Sequence, residues 1–176
     1  MIAMLVDPVY LAAQAREGHS LASLLAPAIK AHNAAIHNMP SGLTLAVHLC
    51  RGNNPKGDTA AIGGFDDMVP TLFSELEYKR FALEFDDPEI TGSLDVLRRL
   101  PVGKTVVLGL VSTKTSEMES LEELKWRVVE AAEIIASGQG RSRKEVLRDS
   151  LAVSPSCGFA SLRSVIPFIG SAKMMC

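Results

Sequence analysis

The chain has 176 residues and a mass of 18.9 kDa, and its balance of 47% apolar to 22% charged residues excludes intrinsic disorder and suits one domain with a real core. Eighteen basic residues against twenty acidic ones leave a net charge of -2, which offers no field for nucleic acid or an anionic membrane surface. The longest apolar stretches, such as 106–111, are far too short to span a bilayer, and the N-terminus lacks the basic segment of a secretory signal, so a cytoplasmic protein is expected.

Short apolar runs recur along the chain, each followed by a turn and a longer stretch of helical period. That is the pattern of β/α units around parallel strands. The runs are Ile2–Val6, 43–49, 80–85, Thr105–Val111 and 151–154. They are apolar on both faces, as parallel strands are when other elements cover them. Between them, 22–38 reads as helical, with Pro27 expected to break it and to start a second helix. Residues 51–67 are rich in Gly, Asn and Asp and read as a functional loop. Shorter helices are expected at 68–76 and 94–100. The clearest helix is 117–136, where Ser116 and Glu119 form a capping box, Leu121, Leu124, Val128, Ala131 and Ile135 make the buried stripe, and Gly138 stands as the stop. Arg141, Arg143, Lys144 and Arg148 are balanced by Glu145 and Asp149 and read as a solvated helix or loop. No domain boundary, repeat or low-complexity tract interrupts the chain, so 1–176 reads as a single domain.

Three cysteines cannot form a disulfide framework, so their role is expected to be chemical. His48 and Cys50 are spaced as His-x-Cys at a strand end, and the period of two points both to one face while Leu45, Val47 and Leu49 take the other. Taken alone, the pair fits a buried cysteine beside a hydrogen-bonded histidine better than a metal site. Cys157, in Ser154-Pro155-Ser156-Cys157-Gly158, also follows a strand and would bring a second thiolate to the same edge; two thiolates and an imidazole suit zinc. Glu84 ends a third strand, where a buried carboxylate is costly without a cation. Asp7, Ser112, Thr113 and Lys114 fall at comparable strand ends, where an α/β barrel collects its reactive groups. The sequence Val102-Gly103-Lys104-Thr105 imitates a phosphate loop but lacks the upstream glycine and precedes its strand, so it is rejected. His19, His32 and His37 have no ligand partners at metal spacing.

At His48-Leu49-Cys50-Arg51-Gly52-Asn53, 81–87, 106–114 and 154–161, taken in that order, the chain resembles the C-terminal catalytic barrel of cobalamin-independent methionine synthase and its smaller relatives, including the epoxyalkane coenzyme M transferases. The resemblance implies an α/β fold, here a partial (β/α)8 barrel of about five parallel units corresponding to strands four to eight. A complete barrel of this kind takes about 250 residues, so the first three units are expected to be missing and the unpaired edges to favour self-association. It also implies a catalytic zinc held by His48, Cys50, Glu84 and Cys157. The implied reaction moves a methyl group from 5-methyltetrahydropteroyltri-L-glutamate to the thiol of homocysteine or a similar thiol. Asp7 and Ser112 are the candidates for catalytic roles. The expected partners are thus a small-molecule thiol and a methyl donor, with no nucleic acid and no membrane. The chain departs from the family at Val6-Asp7-Pro8, where relatives carry two acids before the proline, and at 162–176, which does not resemble the usual final helix. Two functional readings follow: a zinc-dependent thiol methyltransferase, or a truncated remnant that binds zinc without turnover.

Overall fold

The computed structural model describes residues 2–52, 60–115 and 117–158. Its centre is a four-stranded, wholly parallel sheet in the order β1 (Ala46–Leu49), β2 (Arg80–Glu84), β3 (Thr105–Val111), β4 (Leu151–Pro155). Strands adjacent in sequence are adjacent in space, as expected when each connection is a single helical crossover. In β1 the burial alternates strictly, with Val47 and Leu49 inside and Ala46 and His48 outside. That is the face assignment expected from the period of two.

The covered face carries Phe81, Leu83, Val106 and Leu108, all at most 1% exposed. Against it pack α3 (Val69–Glu75) through Val69, Leu72 and Phe73, the 3-10 segment Leu94–Arg99 through Leu94, Val96 and Leu97, α5 (Leu121–Gln139) through Ala131, Ala132 and Ile135, and α6 (Arg143–Asp149) through Val146. Phe73 meets Phe81 edge to face at 5.1 Å between ring centres, and Phe65 meets Phe85 at 5.6 Å. Such pairs add about 0.5–1.5 kcal/mol beyond area burial. The opposite face, with Ala46, His48, Ala82, Val107 and Ala152, remains exposed or half-buried. Helices therefore cover one side of the sheet.

Four expectations are corrected. Ile2–Val6 is a 3-10 helix instead of a first strand. It pairs with none of the four strands, and an i to i+3 bond such as Asp7 N–H to Met4 C=O, at 3.1 Å, satisfies its backbone locally. The sheet thus holds four strands among the described residues, not five. Helix α2 (Leu21–Ile36) runs through Pro27 without a break. Pro27 and Ser23 lie on its exposed side, where water can serve the carbonyl that the proline leaves free. Helix α5 begins after Ser120, later than the proposed cap; Ser116 lies outside the described residues, and Glu119 instead accepts the Ser112 N–H at 2.6 Å. Nor is Gly138 the stop, since it lies inside α5 where a side chain would strike the Arg98 carbonyl, and Gly140 at φ 64° ends the helix. Residues 53–59 of the proposed loop, 159–161 of the last matching stretch, and 162–176 lie outside the described residues. Lys104, in the rejected phosphate loop, caps α3 by donating to the carbonyls of Phe73 and Leu76.

Candidate metal centre

Three strand ends deliver four side chains to one point. His48 and Cys50 come from the end of β1, Glu84 from the end of β2, and Cys157 from the residues just after β4. One ligand atom from each lies within 4.8 Å of all the others. The two sulfurs are 3.3 Å apart, and His48 Nε2 is 3.7 Å from Glu84 Oε1. Since β1 and β4 are the outermost strands, their ends can meet only because the C-terminal edge of the sheet curls toward itself.

Position 109 makes that curl possible. Ser156 N–H donates to Val111 C=O at 2.8 Å, and a side chain at Gly109 would collide with the Ser156 backbone and the Leu83 carbonyl. The ladder between β3 and β4 shifts register between Gly109 and Val111, as expected where a glycine interrupts an apolar strand. The chain can then cross the end of β3 and turn Cys157 toward Cys50.

The protonation chemistry of the group suits a cation. Ala82 C=O can only accept, so its 3.2 Å contact with His48 Nδ1 places the proton on Nδ1 and leaves the Nε2 lone pair toward the group. Burial, followed by the Cys157 thiol and the Glu84 carboxylate, pushes Cys50 up to about 11 against the opposing Gly52 N–H, so it holds its proton at neutral pH unless a cation displaces it. Glu84 is wholly buried, and its Oε1 has no hydrogen-bond partner. A carboxylate oxygen left in that state is costly. A metal ion among these four ligands would satisfy it, so the residues present fit one.

The other oxygen of Glu84 is occupied. Oε2 accepts the Arg51 N–H at 3.3 Å and lies 3.5 Å from the Lys114 ammonium, which is also 3.7 Å from Asp86 Oδ2. Arg51 is itself 1% exposed; its guanidinium stacks 4.1 Å over Phe65 and donates to the carbonyls of Gly63, Ile90 and Thr91. It thereby fixes the loop at Gly63 and the short helix α4 (Pro88–Thr91) to the end of β1.

The two proposed catalytic residues fall outside the ligand group. Asp7 is the N-cap of α1 (Pro8–Arg16), with Oδ1 accepting from Val9 N–H at 2.9 Å and Tyr10 N–H at 3.0 Å, while Oδ2 accepts from Ile62 N–H at 3.1 Å. These bonds, those of Tyr10 and Ile62 foremost, hold its carboxyl below the usual value of 3.8. Ser112 Oγ accepts the Lys114 N–H at 3.2 Å and lines a cavity of about 350 Å³ with Asp86, Asp87, Thr115 and Glu119. Thr113 is buried, its hydroxyl 3.5 Å from that of Ser156. Sequence reasoning missed the roles of Gly109 and Lys114. The glycine inside an apolar strand was a usable signal for the first; Lys114 gave none beyond its place at a strand end.

A wholly parallel sheet with helices packed on one face defines the α/β class, and a group of four side chains that could hold a metal ion stands at the C-terminal edge of its strands. Residues 65–172, more than half the chain, match the family described as the catalytic domain of cobalamin-independent synthases, and the chain belongs to that family. It is 37% identical over 138 residues to YxjH and 36% identical over 133 residues to YxjG, both proteins of Bacillus subtilis described as uncharacterized. These matches cover 77% and 75% of this chain but only 33% and 32% of those proteins. Its fold matches a crystal structure from Listeria monocytogenes described as a "putative vitamin-B12 independent methionine synthase", with a TM-score of 0.53 and 28% identity over 76% of this chain and 34% of that one. The chain therefore spans about a third of the length of these relatives. Among the described residues no helix is long and apolar enough to cross a membrane.

Proposed function

We propose that the chain carries the metal-binding part of a zinc-dependent thiol methyltransferase, with His48, Cys50, Glu84 and Cys157 as the zinc ligands. The observation that carries this reading is the convergence of those four ligand atoms within 4.8 Å from three separate strand ends. Zinc bound there would supply Lewis-acid chemistry that keeps a substrate thiol deprotonated at neutral pH. His48 presents Nε2 because Ala82 holds the proton on Nδ1, and Glu84 presents Oε1 because Oε2 is occupied. Ser112 lines a cavity with Asp86, whose carboxylate shares the Lys114 ammonium with Glu84, and a substrate's polar groups would lie there.

The acceptor in this reading is homocysteine or a similar small thiol, and the donor is 5-methyltetrahydropteroyltri-L-glutamate. A sulfur–carbon bond forms as the donor's nitrogen–methyl bond breaks, and the proton given up by the thiol balances the nitrogen left behind. The work belongs to the cytoplasm and to the chain as one domain. A second reading, alkylation of a thiol by an epoxide as in the coenzyme M relatives, is favoured by Val6. That side chain is apolar and only 8% exposed where relatives carry an acid, so it offers no partner to a substrate amine.

Elemental analysis of the purified chain beside the Cys50→Ala/Cys157→Ala variant tests the shared core of both readings. About one zinc per chain, as for a single four-ligand site, and its loss in the variant is the expected result. A folded wild-type chain without zinc would overturn it and leave a remnant related by descent alone. Assays of homocysteine methylation and of epoxide opening by thiols on the zinc-loaded chain then separate the two.

A further inference from the structure

The two oxygens of Glu84 stand in unlike surroundings. Oε1 faces His48 Nε2 and has no hydrogen-bond partner, while Oε2 meets the Arg51 N–H and the Lys114 ammonium. The Glu84, Asp86 and Lys114 side chains are only 0%, 3% and 10% exposed, so one ammonium serves two carboxylates removed from water. Removing one member of such a cluster leaves an uncompensated buried charge. The Lys114 backbone is anchored as well: its N–H goes to Ser112 Oγ, and the Ser112 N–H goes to Glu119. A protonated lysine has donors and no lone pair, so Lys114 can hold a carboxylate oxygen but cannot take that carboxylate's place on a cation.

We infer that Lys114 is a positioning residue that occupies Oε2 of Glu84, so that the carboxylate meets a metal through Oε1 alone. This rests on the metal-centre reading above. A carboxylate can bind through one oxygen or both. One oxygen joined to His48, Cys50 and Cys157 makes the four ligands usual for zinc, whereas two would make five. Lys114 thereby sets the number of protein ligand atoms, and carboxylate ligands held in this way by an outer partner lose about 10–100-fold in metal affinity when the partner is removed.

The experiment uses the full chain loaded with cobalt(II) in place of zinc, because the visible absorption of cobalt is strong with four ligands and weakens with five. Affinity is measured by competition with a chromophoric chelator. Lys114→Met is expected to lower affinity about 10–100-fold and to weaken the absorption. Lys114→Arg, which keeps the charge, restores both. Lys114→Met/Asp86→Asn removes the ammonium together with its second carboxylate, so it avoids the charge imbalance that could unfold the single variant, and it is expected to behave as Lys114→Met does. Wild-type affinity and spectrum in the folded double variant would overturn the inference while leaving the metal centre intact. Lowered affinity with an unchanged spectrum would also overturn it, as general damage to the site. Absence of cobalt binding by the wild type would overturn both this inference and the reading on which it rests.

Discussion

Substitution of Asp7 distinguishes a helix cap from a catalytic acid. Its carboxylate accepts three backbone N–H bonds at 2.9, 3.0 and 3.1 Å, two at the start of α1 and one from Ile62. Asp7→Ala removes the cap, a loss of about 1 kcal/mol, and the bond to the exposed Ile62 amide, a further 0.5–1 kcal/mol or so. The expected loss is about 1.5–2 kcal/mol in all. Asp7→Asn keeps one acceptor oxygen for the cap and gives up only the Ile62 bond, so it should lose about 0.5–1 kcal/mol. The sign of the pH dependence follows from the lowered pKa. The charge-dependent stabilisation is fully present above the unfolded value of 3.8 and is lost as pH falls through the lower folded value, so the gap between wild type and Asp7→Ala narrows in acid. Urea unfolding at neutral pH and near about pH 3 measures both effects, and zinc content should survive in each folded variant. Equal stability of the Ala and Asn variants, or a folded Asp7→Ala chain that has lost its metal, would refute the reasoning.

Two further outcomes are expected. Gly109→Ala should destabilise the fold by about 1–3 kcal/mol and lower zinc content, because the new methyl group meets the Ser156 backbone that carries Cys157; wild-type zinc content would contradict this. Asp149 is held at about 2, foremost by its 2.6 Å bond from Arg141 and then by Ser150, so the pair's small surface contribution is present above 3.8 and lost as pH falls through about 2. The difference in melting temperature between wild type and Arg141→Met should accordingly be largest at neutral pH and narrow in acid to what the bonds from Arg141 to Gln139 and Ser150, which do not titrate, contribute.

The grouping of the four candidate ligands was legible because its signals are local. A strand's period of two fixes the relation of His48 to Cys50, and Glu84 and Cys157 each stand at the end of an apolar run. Three of the five runs became strands with nearly the expected limits, and 43–49 shortened to Ala46–Leu49. Ile2–Val6 failed for a reason that periodicity does not carry: an apolar run is a strand only when it shares its backbone hydrogen bonds with a neighbour, and this one turns them inward as a 3-10 helix and pairs with no strand of the sheet. The start of α5 failed similarly, since the Glu119 carboxylate is engaged by a backbone amide seven residues earlier instead of closing a capping box. Gly138 and Gly140 look alike in sequence; their difference depends on the Arg98 backbone, brought close by packing. Lys114 could not be tied to Glu84 without knowing that β2 and β3 pair in register, Glu84 beside Gly109.

The meeting of Cys50 and Cys157 would make the proposed ligand group a staple as well as a site. The two residues are 107 positions apart and lie beyond the two outermost strands of the sheet. A permanent cross-link closing a loop of about 100 residues would restrict the unfolded chain by roughly 4.7 kcal/mol on a chain-entropy account. A metal that joins these ends only when the sheet is formed applies part of the same restriction reversibly, so metal uptake and closure of the sheet become linked equilibria. Starving the chain of metal would then loosen the two outer strands first, where hydrogen-exchange protection of β1 and β4 should fall before that of β2 and β3.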